Sequence, residues 1–161
     1  KMASVINVGI SDLNVANPPD VLATYALGSC VGICLLDNNR KIGGLAHIML
    51  PNSKEAANAS VNLRRYADTG ISELISQMQK KGAVLASITA KIAGGAQMFQ
   101  TKCASFNIGQ RNVEAVKKVL AAYRIRILAE DTGLNYGRTV FFNVETGVMQ
   151  VKSVTQGIKN L

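Results

Sequence analysis

The chain alternates short apolar stretches with polar breaks, a pattern that predicts many strands and two long helices. Ser4 to Ile10 alternates with period two and reads as a strand. Asn17-Pro18-Pro19-Asp20 is a turn or loop, and Val21 to Tyr25 reads as a second strand. Ala26-Leu27-Gly28-Ser29 is a break, in which Gly28 has access to backbone angles closed to other residues. Cys30 to Asp37 is apolar and then turns polar, Asn38-Asn39 suits a tight turn, and Arg40 to Leu50 runs back. Both faces of this hairpin are apolar, so it is expected as a buried, central pair.

Pro51 to Ser60 is small and polar, a loop. Val61 to Lys81 has helical spacing, with Tyr66, Ile71, Leu74, Ile75 and Met78 on one stripe. Lys80-Lys81 suits the C-terminal end of that helix, and Gly82 can stop it. Val84 to Ile92 reads as a strand, followed at once by Gly94-Gly95-Ala96. Asn107 is placed as the N-cap of a helix from Ile108 to Tyr123 that buries Val113, Val116, Val119 and Leu120. Ile125 to Ala129 is a strand. Thr139 to Val144, the turn Glu145-Thr146-Gly147, and Val148 to Val151 form a second hairpin. The expected fold is α/β, a layered, β-sandwich-like mixed sheet flanked by two main helices, in one domain over residues 1–161.

Composition narrows the function classes. With 48% hydrophobic and 17% charged residues the chain is globular, and the absence of Trp makes its core aliphatic. No apolar run is long enough to span a bilayer, so no membrane insertion is expected. Three cysteines at irregular spacing fit free thiols in a reducing cytoplasm. The net charge of +8 suits an acidic partner. Its basic residues are scattered without interleaved aromatics, which argues against nucleic acid.

The lead site is Cys30 with His47, the only histidine. If Asn38 and Asn39 are the tip of the hairpin, Cys30 falls directly across from His47, and opposed Cβ atoms lie about 4.5–5.5 Å apart. A thiolate is a strong nucleophile, and an adjacent imidazole can take its proton. The plain alternative is a small core cysteine and a satisfied polar histidine. Gly28-Ser29-Cys30-Val31-Gly32 mimics a nucleophile elbow, but an elbow needs a helix after the turn and here a strand follows. The Gly28–Cys30 backbone is a candidate for oxyanion donors, and Ser29 is the competing nucleophile. Gly94 and Gly95 are a candidate for backbone approaching a substrate, or a simple turn. No metal or other cofactor is expected. Cys30 and Cys34 lie roughly 13 Å apart along one strand face, and one histidine leaves too few ligands.

Five blocks carry a resemblance. Thr24-Tyr25-Ala26-Leu27-Gly28-Ser29-Cys30-Val31 resembles the T-x-x-L-G-S-C-V segment of the CheD family, the chemoreceptor glutamine deamidases of bacterial chemotaxis. Gly44 to Pro51, Lys91 to Phe99, Asn107 to Asn112 and Leu128 to Arg138 resemble its later blocks, in order along almost the whole chain. The resemblance implies a catalytic Cys at Cys30, a catalytic His at His47, and Thr24 as the third member. It implies a fold related to a toxin deamidase and glutamine side chains on chemoreceptor cytoplasmic helices as substrates. A CheC-type phosphatase is the implied partner. The rival reading is a regulatory binding module whose main task is to engage and activate that phosphatase.

Overall fold

The computed structural model describes residues 2–55, 62–98 and 107–161. Among the described residues, ten strands and two long helices follow in the order β1 (Val5–Asn7), β2 (Asp12–Ala16), β3 (Val21–Leu27), β4 (Val31–Asp37), β5 (Ile42–Ile48), α1 (Ala67–Lys80), β6 (Ile88–Gly94), α2 (Ile108–Ala122), β7 (Arg126–Thr132), β8 (Arg138–Asn143), β9 (Met149–Ser153) and β10 (Gly157–Asn160). The strands form two five-stranded sheets, β1-β3-β8-β9-β10 and β2-β5-β4-β6-β7. Both are mixed: β1 pairs with β3, and β6 with β7, in parallel, while the other pairings are antiparallel.

Side-chain alternation sorts the core into two layers. Val31, Ile33 and Leu35 of β4 and Ala46 and Ile48 of β5 face Ile71, Leu74, Met78, Val116 and Leu120 of the helices. Cys34 and Leu36, with Leu45 of β5, face Leu22, Val140, Phe142 and Met149 of the other sheet. The arrangement is helices on one sheet, and that sheet on a second. Every residue of β4 and β5 is buried, and β4 is the middle strand of its sheet.

Several boundaries differ from the sequence reading, each for a local reason. The central hairpin turns through residues 38–41, not on Asn38-Asn39 alone, and the positive φ of 54° falls on Lys41. The buried carboxylate of Asp37 accepts the N–H groups of Asn39 and Arg40, each at 3.1 Å, and so wraps a longer loop. Helix α1 starts only at Ala67, because Tyr66 is extended and bridges Leu50. A 3-10 turn at Leu85–Ser87 delays β6 to Ile88. Asn107 occupies the N-cap position of α2, yet its side chain donates to Gln110 instead of capping the backbone. Strands β2 and β10 were not anticipated.

Candidate active site

The longer hairpin loop moves the register. His47 pairs with Gly32, and Val31 with Ile48, so Cys30 is not directly opposite His47. Cys30 precedes β4 by one position and stands diagonally from His47. A slip of two residues returns each side chain to its original face, whereas a slip of one would have reversed it. Diagonal neighbours lie about 7–8 Å apart, with Cβ atoms somewhat closer. Cys30 is half-buried and packs against the layer between the two sheets.

His47 and Thr24 meet in that same layer, and both are fully buried. Thr24 comes from β3, in the opposite sheet. Its Oγ1 lies 2.6 Å from Nδ1 of His47 and 2.7 Å from the carbonyl oxygen of Val8. A hydroxyl has one proton, and a carbonyl can only accept. The Thr24 proton therefore goes to Val8, and Oγ1 is left to accept from Nδ1–H. That assigns the imidazole tautomer: Nδ1 carries the proton and Nε2 presents its lone pair. Nε2 is buried and has no hydrogen-bond partner among the described residues. Val8 sits where the chain leaves β1 in one sheet for β2 in the other, and just beyond it the N–H of Ser11 donates to the carbonyl of His47 at 2.9 Å.

Burial sets both resting charges. It pushes the His47 pKa down from 6.5 to about 4, so the ring is neutral near pH 7. It pushes the Cys30 thiol up, opposed in part by the thiol's contact with its own backbone N–H. The resting pair is thiol and imidazole, not thiolate and imidazolium. Cys34, farther along β4, is buried and its thiol is pushed up more strongly.

The turn that carries Cys30 is held from outside. The carbonyl of Gly28 accepts from Ala96 N–H at 2.8 Å, and that of Cys30 from Gly95 N–H at 2.8 Å. Gly94 has φ +113°, and a Cβ there would stand 2.2 Å from the Cys30 carbonyl oxygen. The glycine pair thus lies against the Cys30 backbone. The N–H of Gly28 donates to Ala26 at 3.1 Å, and that of Gly95 is engaged as above, which removes both as oxyanion donors in this conformation. The N–H groups of Ser29 and Cys30 donate to no backbone carbonyl among the described residues. The left-handed residue of the break is Ala26, with φ 59°, and not Gly28. It sits in the β-bulge between Thr24 and Leu27.

Three contributors escaped the sequence reading. Gly32 faces His47, and a Cβ there would lie 3.2 Å from Leu27 Cδ1 and 3.5 Å from Thr24 Cγ2, so its bareness lets β3 close on β4. The Val8 carbonyl carries no sequence signal at all. Asn112 did carry one: it is a polar residue on the buried stripe of α2 that also holds Val116 and Leu120. Its Nδ2 donates to the carbonyls of Ser29 and Met49, each at 2.9 Å. Among the described residues, no cluster of three His, Cys, Asp or Glu side chains is placed to hold a metal ion.

A cysteine near a neutral imidazole whose far nitrogen is tied to a hydroxyl is the layout of enzymes that use a thiol nucleophile. The chain matches the family described as CheD chemotactic sensory transduction over residues 49–153, and it belongs to the CheD family. It is 48% identical to the probable chemoreceptor glutamine deamidase CheD of Lachnoclostridium phytofermentans, covering 99% of this chain and 100% of that one. It is 51% identical to the protein of the same name from Clostridium novyi, over 96% of each chain. It is also 48% identical to the chemoreceptor glutamine deamidase CheD of Halalkalibacterium halodurans, over 99% of this chain and 100% of that one.

Proposed function

We propose that this protein deamidates glutamine side chains of chemoreceptors, with Cys30 as nucleophile, His47 as general base and acid, and Thr24 as the group that orients the imidazole. The observation that carries the reading is the hydrogen-bond chain from His47 Nδ1 through Thr24 to the Val8 carbonyl. It leaves Nε2 unprotonated and unpartnered near the Cys30 turn.

In this mechanism Nε2 takes the Cys30 proton as sulfur attacks the amide carbon. Because the resting pair is neutral, transfer and attack proceed together on arrival of the substrate. The N–H groups of Ser29 and Cys30 receive the oxyanion. The imidazolium returns its proton to the amide nitrogen, and ammonia leaves as the carbon–nitrogen bond breaks. A water then gives its proton to Nε2 and attacks the thioester, releasing glutamate and the Cys30 thiol. Thr24 is neutral and so stabilises imidazolium less than a buried carboxylate would. The expected turnover is modest.

A surface carrying +8 favours encounter with acidic receptor helices. Engagement of a CheC-type phosphatase, and a kinship with toxin deamidases, come with the family resemblance and are compatible with the same chain. The decisive experiment is incubation with a receptor cytoplasmic fragment, followed by mass spectrometry. Wild type is expected to convert particular glutamines to glutamates without cutting the chain, and Cys30→Ser to convert none. Full activity in Cys30→Ser would move the nucleophile to Ser29.

A further inference from the structure

We infer that Asn112 is a positioning residue for this reaction: it aims the Cys30 N–H at the oxyanion and locks the nucleophile turn to the strand bearing His47. The inference rests on the deamidase reading above. Asn112 is fully buried on α2. One amide nitrogen donates to Ser29, the residue before the nucleophile, and to Met49, two residues beyond His47. A single planar group therefore spans the two segments on which the site is built.

Stability alone is a weak reason for an amide here. A buried polar group is unfavourable unless its hydrogen-bonding capacity is met. Oδ1 of Asn112 is buried with no partner among the described residues. The same face of α2 carries Val116 and Leu120, so an apolar residue would continue the stripe. Asparagine is also a poor residue for a helix interior.

Peptide geometry supplies the functional reason. In a trans peptide the C=O and N–H point in opposite directions. The Ser29 carbonyl and the Cys30 N–H belong to one plane. Holding the carbonyl toward α2 turns that N–H away from α2. The two adjoining planes are held through the Gly28 and Cys30 carbonyls by Ala96 and Gly95. The Cys30 side chain packs into the layer between the two sheets, on the side away from α2, so the thiol and that N–H are turned to the same side. An oxyanion on the carbon bonded to that sulfur forms within reach of the same donor. Asn112 does not touch the substrate. It acts by fixing the group that does.

The test uses the full chain with Asn112→Ala, which removes the clamp, and Asn112→Ser, which keeps one donor. Two substrates are compared, the receptor fragment and p-nitrophenyl acetate, whose acyl transfer to Cys30 passes through the same kind of oxyanion. Iodoacetamide labelling of Cys30 is the control, because alkylation at sulfur makes no oxyanion. Removing an oxyanion donor typically lowers kcat about 10²- to 10³-fold. Asn112→Ala is expected to lose about tenfold or more in kcat on both substrates, with KM and labelling within about twofold and Asn112→Ser intermediate. If Asn112→Ala does not fold, the same comparison is made between Asn112→Ser and wild type. Rates within threefold of wild type, or kcat and labelling falling together, overturn the inference. A wild type that acylates with the ester yet leaves the receptor fragment unchanged overturns the deamidase reading instead. If it does neither, both fall.

Discussion

Thr24 and His47 lie in different sheets and are joined by a 2.6 Å contact between Oγ1 and Nδ1. The sheet-to-sheet packing that makes the core therefore also sets the protonation of the ring. Thr24→Val removes the hydroxyl while keeping the shape. It frees Nδ1 and leaves the Val8 carbonyl without this partner, at about 1–3 kcal/mol for an unmet buried group. The expected result is an approximately 10- to 100-fold fall in kcat with little change in KM, because the tautomer matters in the proton-transfer step. Thr24→Ser should return most of the rate. Steady-state kinetics on the receptor fragment reads this. A rise in KM at constant kcat would make Thr24 a binding residue.

The neutral resting pair has a measurable consequence. Burial raises the Cys30 thiol, and His47 is uncharged near pH 7, so no imidazolium holds a thiolate in place. Iodoacetamide labelling of Cys30, followed by peptide mass spectrometry, should still be climbing at about pH 9, without a neutral plateau. His47→Ala should change the labelling rate by no more than about twofold while abolishing amide turnover. A labelling plateau near pH 6 that His47→Ala removes would show a preformed ion pair.

His47 should also mark the acid limb of stability. Its folded pKa, about 4, lies below the unfolded value of 6.5. Between these values the unfolded chain binds a proton that the folded chain refuses. Stability is therefore level in this respect above about pH 6.5 and falls as pH drops toward 4, by up to about 3 kcal/mol. Burial raises the Asp37 and Glu130 carboxyls, but hydrogen bonds and a neighbouring cation outweigh it and hold both below their ordinary values, so their contributions are lost as pH falls through those lowered values. Urea titrations of wild type and His47→Gln at a series of pH values separate the two. The difference between the proteins should shrink through the pH 6.5 to 4 window as wild type weakens.

The formal charge of +8 predicts a salt-sensitive encounter. Raising ionic strength should lower kcat/KM on an acidic receptor fragment with kcat nearly constant, chiefly through the on-rate. Surface plasmon resonance at several salt concentrations measures it. A salt-independent on-rate would assign recognition to apolar contacts.

Much of this fold was legible because long periodic segments declare themselves. Helices α1 and α2 and the central hairpin were all anticipated, since apolar stripes and a continuous buried run are encoded locally. Strand β2 was not, because it is short and half exposed, and what makes it a strand is its pairing with β5. The hairpin register was off by two residues because the buried Asp37 carboxylate, invisible as such in sequence, lengthens the turn. Cys30 and His47 stand out from the sequence pattern, whereas only the family resemblance singles out Thr24. That Thr24 meets His47 at all depends on how two sheets stack. Asn112 and Gly32 escaped for the same reason: each acts on a segment distant in sequence.

Gly94 offers a test of how rigidly the Cys30 turn must be held. Two strains meet in Gly94→Ala. A φ of +113° disfavours any L side chain, and the new Cβ would stand 2.2 Å from the Cys30 carbonyl oxygen and 3.2 Å from Val31 Cα. Both obstacles are backbone, and this backbone is the Cys30 turn itself, so relief requires Cys30 to move. Gly133 is the internal control. Its φ is also positive, at 79°, yet a Cβ there meets nothing within 4 Å. Gly133→Ala should therefore cost only the conformational strain, roughly 1–2 kcal/mol, and leave kcat near wild type. Gly94→Ala should lose more stability than that, and the folded fraction should lose at least tenfold in kcat, since a misplacement near 1 Å can cost about 10²-fold. Thermal melts and active-site-normalised kinetics of the two variants make the comparison. Equal melting temperatures, or a Gly94→Ala enzyme with wild-type turnover, would show that the contact between β6 and the Cys30 turn does not position the thiol.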